Sequence, residues 1–259
     1  MKKILATLVL LTCSALAQAP GQPAVSQDGS SRKARQLLDQ MIRALGGQAY
    51  LNYTDVAQEG RTYGFSHGQS GSGAPFWRMW KWPDKERLEL TKQRDWIIIH
   101  NGDKGFEITF RGVKPEEAEA LKSYLERREF SLERVLRVWL NEPGTALFYD
   151  GQAVAQRKST DKVTILNSKN QAVTLYLDID SHLPIQKSYQ RRDPTTREKD
   201  DQDEVYDNYH LVQGIQTPYS ITRLKNGEME NQRFLNRVSY NNGFPDSMFE
   251  AAPLPPEKR

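Results

Sequence analysis

One motif suggests covalent chemistry, the pattern G-x-S-x-G at residues 64–68, in which Ser66 would be the nucleophile. In hydrolases this motif joins a buried strand to a helix, which exposes the hydroxyl and forms an oxyanion hole. Here the next residues are Gln-Ser-Gly-Ser-Gly-Ala-Pro, a composition typical of a loop and not of a helix start. We therefore interpret Ser66 as a loop residue, and a serine hydrolase is the least favoured function.

The sequence has no group of side chains with the spacing of a metal or nucleotide site. Its histidines are scattered along the chain: His67, His100, His182 and His210. The acidic run that ends at Glu204 lacks the glycine and terminal glutamate of a calcium loop, so we interpret residues 191–204 as a solvated hairpin tip. We predict a non-enzymatic protein with no catalytic residue, no metal and no cofactor.

The N-terminus is typical of a secretory signal peptide. Lys2 and Lys3 precede an apolar run, and Ala15-Leu16-Ala17 fits the small-x-small cleavage pattern. We predict a signal peptide at residues 1–17, cleavage after Ala17, a periplasmic location and no transmembrane segment in the mature chain. The alternative is a lipid anchor at Cys13, although Thr12 replaces the small residue that normally precedes an anchored cysteine.

Length and charge narrow the choice of function. The formal net charge of the 259 residues is +3, and removal of the signal peptide lowers it by two. This near balance argues against a dedicated binder of nucleic acid, whose basic residues would gather on one surface. After a disordered leader at 18–30 we predict one domain over 31–250, a proline-rich tail at 251–259, and a monomer.

The stretch from Trp96 to Phe110 predicts a β-hairpin, because two apolar runs flank a turn-forming segment at 101–104. With residues 76–82 and 86–90 it predicts an antiparallel meander. Three pairings define its register: Trp82 with Lys85, Leu90 with Ile97, and Ile97 with Ile108. Since side chains alternate along a strand, this register places nine apolar residues on one face. They are Trp77, Met79, Leu88, Leu90, Ile97, Ile99, Phe106, Ile108 and Phe110.

Apolar spacing of three and four residues predicts a helix from Ser31 to Leu45, ended by two glycines. It also predicts two short helices between Pro115 and Leu140, the second capped by Ser131. Strands resume at Ala146 and bring the total to about eleven. Because the strands follow one another directly, the pattern indicates an α+β fold with an antiparallel sheet and helices on one side. The helices either fill the apolar face as core or leave a cavity for an apolar ligand.

Several segments resemble the LolA-type periplasmic lipoprotein-localisation carriers and the larger outer membrane lipoprotein-sorting proteins. They are WRMWKWPDKERLEL (77–90), DWIIIHNGDKGFEIT (95–109), VTLYLDIDSHLPIQKSYQRRDP (173–194), YDNYHLVQGIQTPYSITR (206–223) and VSYNNGFPDSMFE (238–250). The resemblance implies an incomplete (half) β-barrel with a helical lid over a hydrophobic cavity for acyl chains. The nine apolar residues would line that cavity. The lid candidates are Leu121, Leu125, Leu136 and Trp139.

The sequence departs from these carriers at one position. They have an arginine just before the proline of the third strand, which helps to hold the lid, and here Trp82 precedes Pro83. The resemblance still implies a carrier or chaperone for a lipid or an acylated lipoprotein, with envelope proteins of the inner or outer membrane as delivery partners. The alternative is an envelope-stress sensing or protein-interaction module on the same fold.

Overall fold

The computed structural model describes residues 27–192 and 198–254, and one antiparallel sheet dominates it. The elements before the lid are α1 (Gln27–Leu45), α2 (Gln48–Asn52), β1 (Asp55–Ser66), β2 (Gln69–Ser70), β3 (Ala74–Lys81), β4 (Lys85–Leu90), β5 (Trp96–Asn101), β6 (Lys104–Thr109) and β7 (Gly112–Pro115). The helical lid follows, with α3 (Ala118–Glu129), α4 (Leu132–Arg137) and a 3-10 helix at Trp139–Asn141. The last elements are β8 (Ala146–Ala155), β9 (Lys158–Leu166), β10 (Ala172–Asp178), β11 (Pro184–Arg192), β12 (Lys199–Val212), β13 (Ile215–Lys225), β14 (Glu228–Tyr240) and a 3-10 helix at Asp246–Phe249. The predicted signal peptide lies outside the described residues.

The sheet consists of two meanders that are joined where β1 pairs with β14. Its strand order is β7-β6-β5-β4-β3-β1-β14-β13-β12-β11-β10-β9-β8, and β2 pairs with β1 beside this path. The two outer strands, β7 and β8, are not paired with each other, so the sheet curves without closing. The predicted α+β half-barrel is therefore confirmed, with a 14-stranded sheet in place of about eleven strands.

Helix α1 covers one end of the concave face. Leu37, Leu38 and Met41 are buried in a core that includes Val163 and Leu175 of the sheet. Each such side chain contributes roughly 1.5–3 kcal/mol by leaving water. The helix begins four residues before its predicted start, so the end of the predicted disordered leader is helical. None of the helices in the described part of the chain has the length and apolar character to span a bilayer.

The lid helices differ from prediction at their start. Pro115 belongs to β7, where it pairs with Phe106, and α3 begins only at Ala118. Ser131 caps α4 as predicted, since its Oγ accepts a hydrogen bond from the backbone N–H of Arg134 at 3.2 Å.

The predicted register of the meander is wrong at two of its three pairings. Lys85 pairs with Lys81 instead of Trp82, and Leu90 pairs with Trp96 instead of Ile97. The third pairing, Ile97 with Ile108, is confirmed. A shift of one residue moves a strand's side chains to the other face. Thus Leu88 and Leu90 lie on the concave face, and Ile97, Ile99 and Ile108 lie on the convex face with Trp77 and Met79.

The convex isoleucines are covered by the chain's own C-terminal segment. Ile97, Ile99 and Ile108 form a small second core, against which Ala251 and Leu254 pack. These two residues belong to the predicted proline-rich tail, whose first part therefore completes the fold. The apolar face of β5 and β6 is buried by protein and is not a ligand surface.

A buried carboxylate fixes the start of this segment. Asp55 accepts hydrogen bonds from the backbone N–H groups of Asn242 at 2.6 Å and Gly243 at 2.9 Å. Burial alone would raise the pKa of Asp55, but these donors hold the pKa below its ordinary value. The carboxylate therefore stabilises the connection between β1 and the C-terminal segment in its charged form.

The joint between the two meanders depends on a glycine. Gly60 lies at a β-bulge between β1 and β14, and a Cβ there would meet the carbonyl oxygen of Phe234 at 2.1 Å. We expect Gly60→Ala to lower the free energy of unfolding by about 2 kcal/mol or more, because the backbone of β14 must move. Urea denaturation measures this change.

Gly64 of the same strand is the matched control, because a Cβ there meets no atom within 4 Å. Gly64→Ala is expected to leave stability within about 0.5 kcal/mol of the unchanged protein. Equal effects of the two substitutions would show that the close approach at Gly60 does not limit the joint.

Candidate functional site

A cavity of about 300 Å³ lies between the concave face of the sheet and the lid helices. Its walls come from β3, β4 and β5 on one side and from β11 to β14 on the other. Helices α3 and α4 cover it, and the end of α1 with α2 closes one end. Residues from strands far apart in the sheet meet here because the sheet is curved. This is the concave site that the fold offers to a ligand.

One end of the cavity is aromatic. Tyr53 lies at its centre, with ring centroids 4.8 Å from Tyr240, 6.0 Å from Tyr50 and 6.0 Å from Trp80. Burial raises the pKa of Tyr53 well above its ordinary value, so its hydroxyl stays protonated. That hydroxyl donates a hydrogen bond to Glu133 of α4 at 3.0 Å. The aromatic end therefore offers flat apolar ring surface to a ligand.

Arg137 of α4 attaches the lid to this end. Its guanidinium donates hydrogen bonds to the backbone carbonyls of Tyr50 at 2.6 Å and Tyr53 at 2.9 Å. It also lies 4.1 Å from the ring centroid of Tyr53 and 5.0 Å from that of Trp82. Trp82 is the residue that stands where the LolA-type carriers have arginine. In this chain the positive charge at that place comes from the lid helix.

The wall formed by β3, β4 and β5 carries a network of charges. Glu86 is paired with Arg78 and lies beside His100. Burial would raise the pKa of Glu86, but the charge of Arg78 and the neighbouring His100 hold it well below its ordinary value. His100 Nε2 lies 2.8 Å from Glu116 Oε2, and its ring stacks on Tyr124 with centroids 3.4 Å apart. The network thus connects β5 to the lid.

The opposite wall carries a second ion pair. Lys187 Nζ lies 2.8 Å from Glu204 Oε2, which also accepts a hydrogen bond from the Tyr206 hydroxyl at 2.7 Å. Burial would raise the pKa of Glu204, but Lys187 lowers it to about 2. Three buried polar atoms of the lining, Tyr50 Oη, His100 Nδ1 and Gln202 Nε2, have no hydrogen-bond partner among the described residues. The cavity is therefore amphipathic and not purely apolar.

The structure brings few of the predicted lining residues to this cavity. Of the nine, Leu88 lines it. Ile97, Ile99 and Ile108 are covered by the C-terminal segment on the convex side, and Phe110 follows β6 with 81% of its surface exposed. The error lies in the choice of face. Trp77, Met79, Phe106 and the three isoleucines share one face as predicted, but that face is the convex one. The register shift moves only Leu88 and Leu90 to the concave face.

The lid is where it was predicted, but other side chains face the cavity. Leu136 and Trp139 are buried in the core of the protein, and Leu121 and Leu125 are not among the lining residues. Six residues of the lid do line the cavity: Tyr124, Arg127, Arg128, Ser131, Leu132 and Glu133. The sequence contained one signal for the polar lining, the polar residues that alternate along the long strands β12 to β14.

Ser66 lies in the hairpin between β1 and β2, and it is exposed. A two-residue strand follows it in place of the helix that a nucleophile elbow requires. Among the described residues no hydrogen bond joins its hydroxyl to a histidine or an acid. The motif therefore has the loop context that its sequence predicted.

No protein-family model matches the chain, and no curated protein matches it. Solved structures do resemble it. A DUF1329 family protein from Desulfovibrio piger is 10% identical, with 84% of this chain and 97% of that chain covered and a TM-score of 0.56. A putative outer membrane lipoprotein-sorting protein domain from Vibrio parahaemolyticus is 9% identical, with 85% and 97% covered and a TM-score of 0.56. A LolA superfamily protein from Nitrosomonas europaea is 14% identical, with 84% and 97% covered and a TM-score of 0.51. At these identities the likeness concerns the fold, and this chain has the fold of the LolA-superfamily and lipoprotein-sorting proteins.

Proposed function

We propose that this chain is a periplasmic, non-enzymatic binding protein that carries a lipid, or the acyl group of a lipoprotein, in its concave cavity. The observation that carries the proposal is the cavity itself, which the sheet and the lid helices enclose and which has an aromatic end. The fold supports it, because one structure of the same fold is described as a lipoprotein-sorting protein domain. The proposal takes the signal peptide predicted at residues 1–17 to export the domain predicted at 31–250 to the periplasm.

Hydrocarbon suits the aromatic end of the cavity. Leu45, Val56, Trp80, Leu88 and Leu132 line it together with the tyrosines. Each methylene buried against such surface contributes roughly 0.8 kcal/mol and needs no directional contact. The volume of about 300 Å³ is at the lower end of the range for small-molecule pockets. The closed cavity is therefore sized for one slender chain, and a larger lipid requires the lid to move.

Helix α4 of the lid is packed into the core, whereas polar contacts at the rim of the cavity hold α3 to the sheet. Arg128 of α3 donates hydrogen bonds to the backbone carbonyl of Gly102 and, at 2.9 Å, to the side chain of Asp103. On the far side of the cavity, Arg191 donates to Ser123 Oγ at 3.3 Å. Such contacts exchange readily with water, so α3 can swing away and admit a ligand.

A protein-interaction module remains the second candidate. The observation that favours it is the outer edge of the sheet, where Phe110 and Val113 are exposed beside the unpaired side of β7. An exposed edge strand offers backbone hydrogen-bonding groups to a peptide segment. Binding of such a segment by a protein that carries no lipid would support the interaction module and contradict the lipid carrier.

Native mass spectrometry after gentle purification tests the carrier proposal. We expect a lipid to remain bound to the protein. Leu88→Gln should reduce the bound fraction several-fold, because an unpaired amide then faces the aromatic end. Met79→Gln is the matched control, since Met79 is similarly half-buried on the neighbouring strand but lies on the convex face. A chain that is always empty, or an equal loss in both variants, would contradict the proposal.

Arg128→Ala tests the lid. Loss of its hydrogen bonds to Asp84, Gly102 and Asp103 should let α3 open more often and raise the dissociation rate of a bound fluorescent fatty acid about tenfold. Stopped-flow displacement measures this rate. Arg43→Ala provides the control, because Arg43 is exposed on α1. An unchanged rate in Arg128→Ala would mean that α3 does not gate the cavity.

A further inference from the structure

Five arginines line the cavity, and three of them, from three different elements, form no salt bridge among the described residues. Arg127 comes from α3, Arg223 from β13 and Arg233 from β14. The two strand residues are close because Arg233 pairs with Ile221, two residues from Arg223, and both project onto the concave face. Arg127 faces them from the lid. A group of like charges is thus gathered inside one cavity.

None of the three forms a salt bridge with an acid among the described residues, although Glu204 lies opposite Arg223 in the pairing of β12 with β13. Arg223 donates one hydrogen bond, to the side-chain oxygen of Asn231 at 3.1 Å. The guanidinium of Arg233 lies 5.6 Å from the ring centroid of Phe76. No hydrogen bond or ion pair connects the guanidinium of Arg127 to another residue that the structure describes. The donors of these side chains are therefore largely unused.

The acids of the two walls offset the charge of the cluster only in part. The charge of Glu86 acts on Arg127 and Arg233. The charge of Glu204 acts on Arg127 and Arg223. Glu86 is paired with Arg78, and Glu204 is paired with Lys187 at 2.8 Å. Both carboxylates are therefore already engaged by another cation. Gln202 Nε2, a further buried donor in the lining, also has no partner among the described residues. The cavity contains an excess of donors over acceptors.

This arrangement destabilises the protein unless something compensates for it. Burial lowers the pKa of Arg233 to about 9, and the charges of Arg223 and Arg78 add to this effect. Burial and the charge of Arg223 likewise lower the pKa of Arg127. The pKa of Arg233 remains above neutral pH, so this side chain stays charged. The three arginines are half-buried. Partly desolvated cations without a salt-bridge partner cost free energy, and a bound anion reduces that cost.

We propose that Arg127, Arg223 and Arg233 bind the carboxylate or phosphate head of a single-chain anionic amphiphile, whose hydrocarbon lies against the aromatic end. Guanidinium groups match such oxyanions because they donate two parallel hydrogen bonds. This inference rests on the proposed function, since it names the class of lipid that the cavity carries.

Calorimetric titration with three ligands tests it: laurate, lauryl alcohol and inorganic phosphate. Laurate and the alcohol share one hydrocarbon chain and differ in charge. We expect laurate to bind at least tenfold more tightly than the alcohol. Arg233→Gln and Arg223→Gln should each weaken laurate about tenfold and leave the alcohol unchanged. Arg237→Gln is the control, because Arg237 is exposed on the same strand as Arg233.

The outcomes separate the two proposals. Equal affinities for laurate and the alcohol, or arginine variants that weaken both ligands equally, overturn the anion site and leave the carrier intact. Binding of phosphate alone, with no affinity for either chain, supports the anion site and overturns the carrier. No binding of any ligand overturns both.

Melting temperatures show whether a variant loses affinity because it misfolds. Removing a partly desolvated charge without a salt-bridge partner should leave the melting temperature of Arg233→Gln equal to or above that of the unchanged protein. Laurate should raise the melting temperature of the unchanged protein more than that of the variant. A variant that melts lower and responds equally to laurate would assign Arg233 a structural role only.

Discussion

The rest of the structure depends on the pairing of β1 with β14. In chain order these are the first and the last strands of the sheet. They join two meanders that have no other strand pairing between them among the described residues. The backbones approach so closely at the bulge that only glycine fits at position 60. Because the joint lies in the middle of the strand order, it brings β3 to β5 opposite β11 to β14. The concave site exists only after this long-range pairing has formed.

The helices fill part of the space on the concave face of the sheet. Helix α1 and the residues around Trp139 form a dry core at one end. The remaining space contains tyrosines, two ion pairs and three arginines that form no salt bridge among the described residues. Such a lining is poor for stability, because buried charge must be compensated. Its presence is more simply explained by a ligand that has both a hydrocarbon part and a charged part.

The sequence predicted the class of fold, the capped lid helix and the hairpin of β5 and β6, because each has a local signal. It did not predict the register of β3 and β4. The predicted loop of Pro83 and Asp84 is in fact three residues long and includes Trp82. Both faces of β3 carry large apolar residues, Trp77 and Met79 on one and Phe76 and Trp80 on the other, so alternation could not correct the error. The arginine cluster was missed because its members are far apart in sequence and meet only across the curved sheet.

The contact between Trp82 and Arg137 has an evolutionary consequence. Its guanidinium lies 4.1 Å from the ring centroid of Tyr53 and 5.0 Å from that of Trp82, so a second cation at this place would be repelled by like charge. Positions 82 and 137 are therefore expected to covary among homologous chains. Homologous chains with arginine at position 82 should have an uncharged residue at position 137. Chains with an aromatic residue at position 82 should keep arginine at position 137.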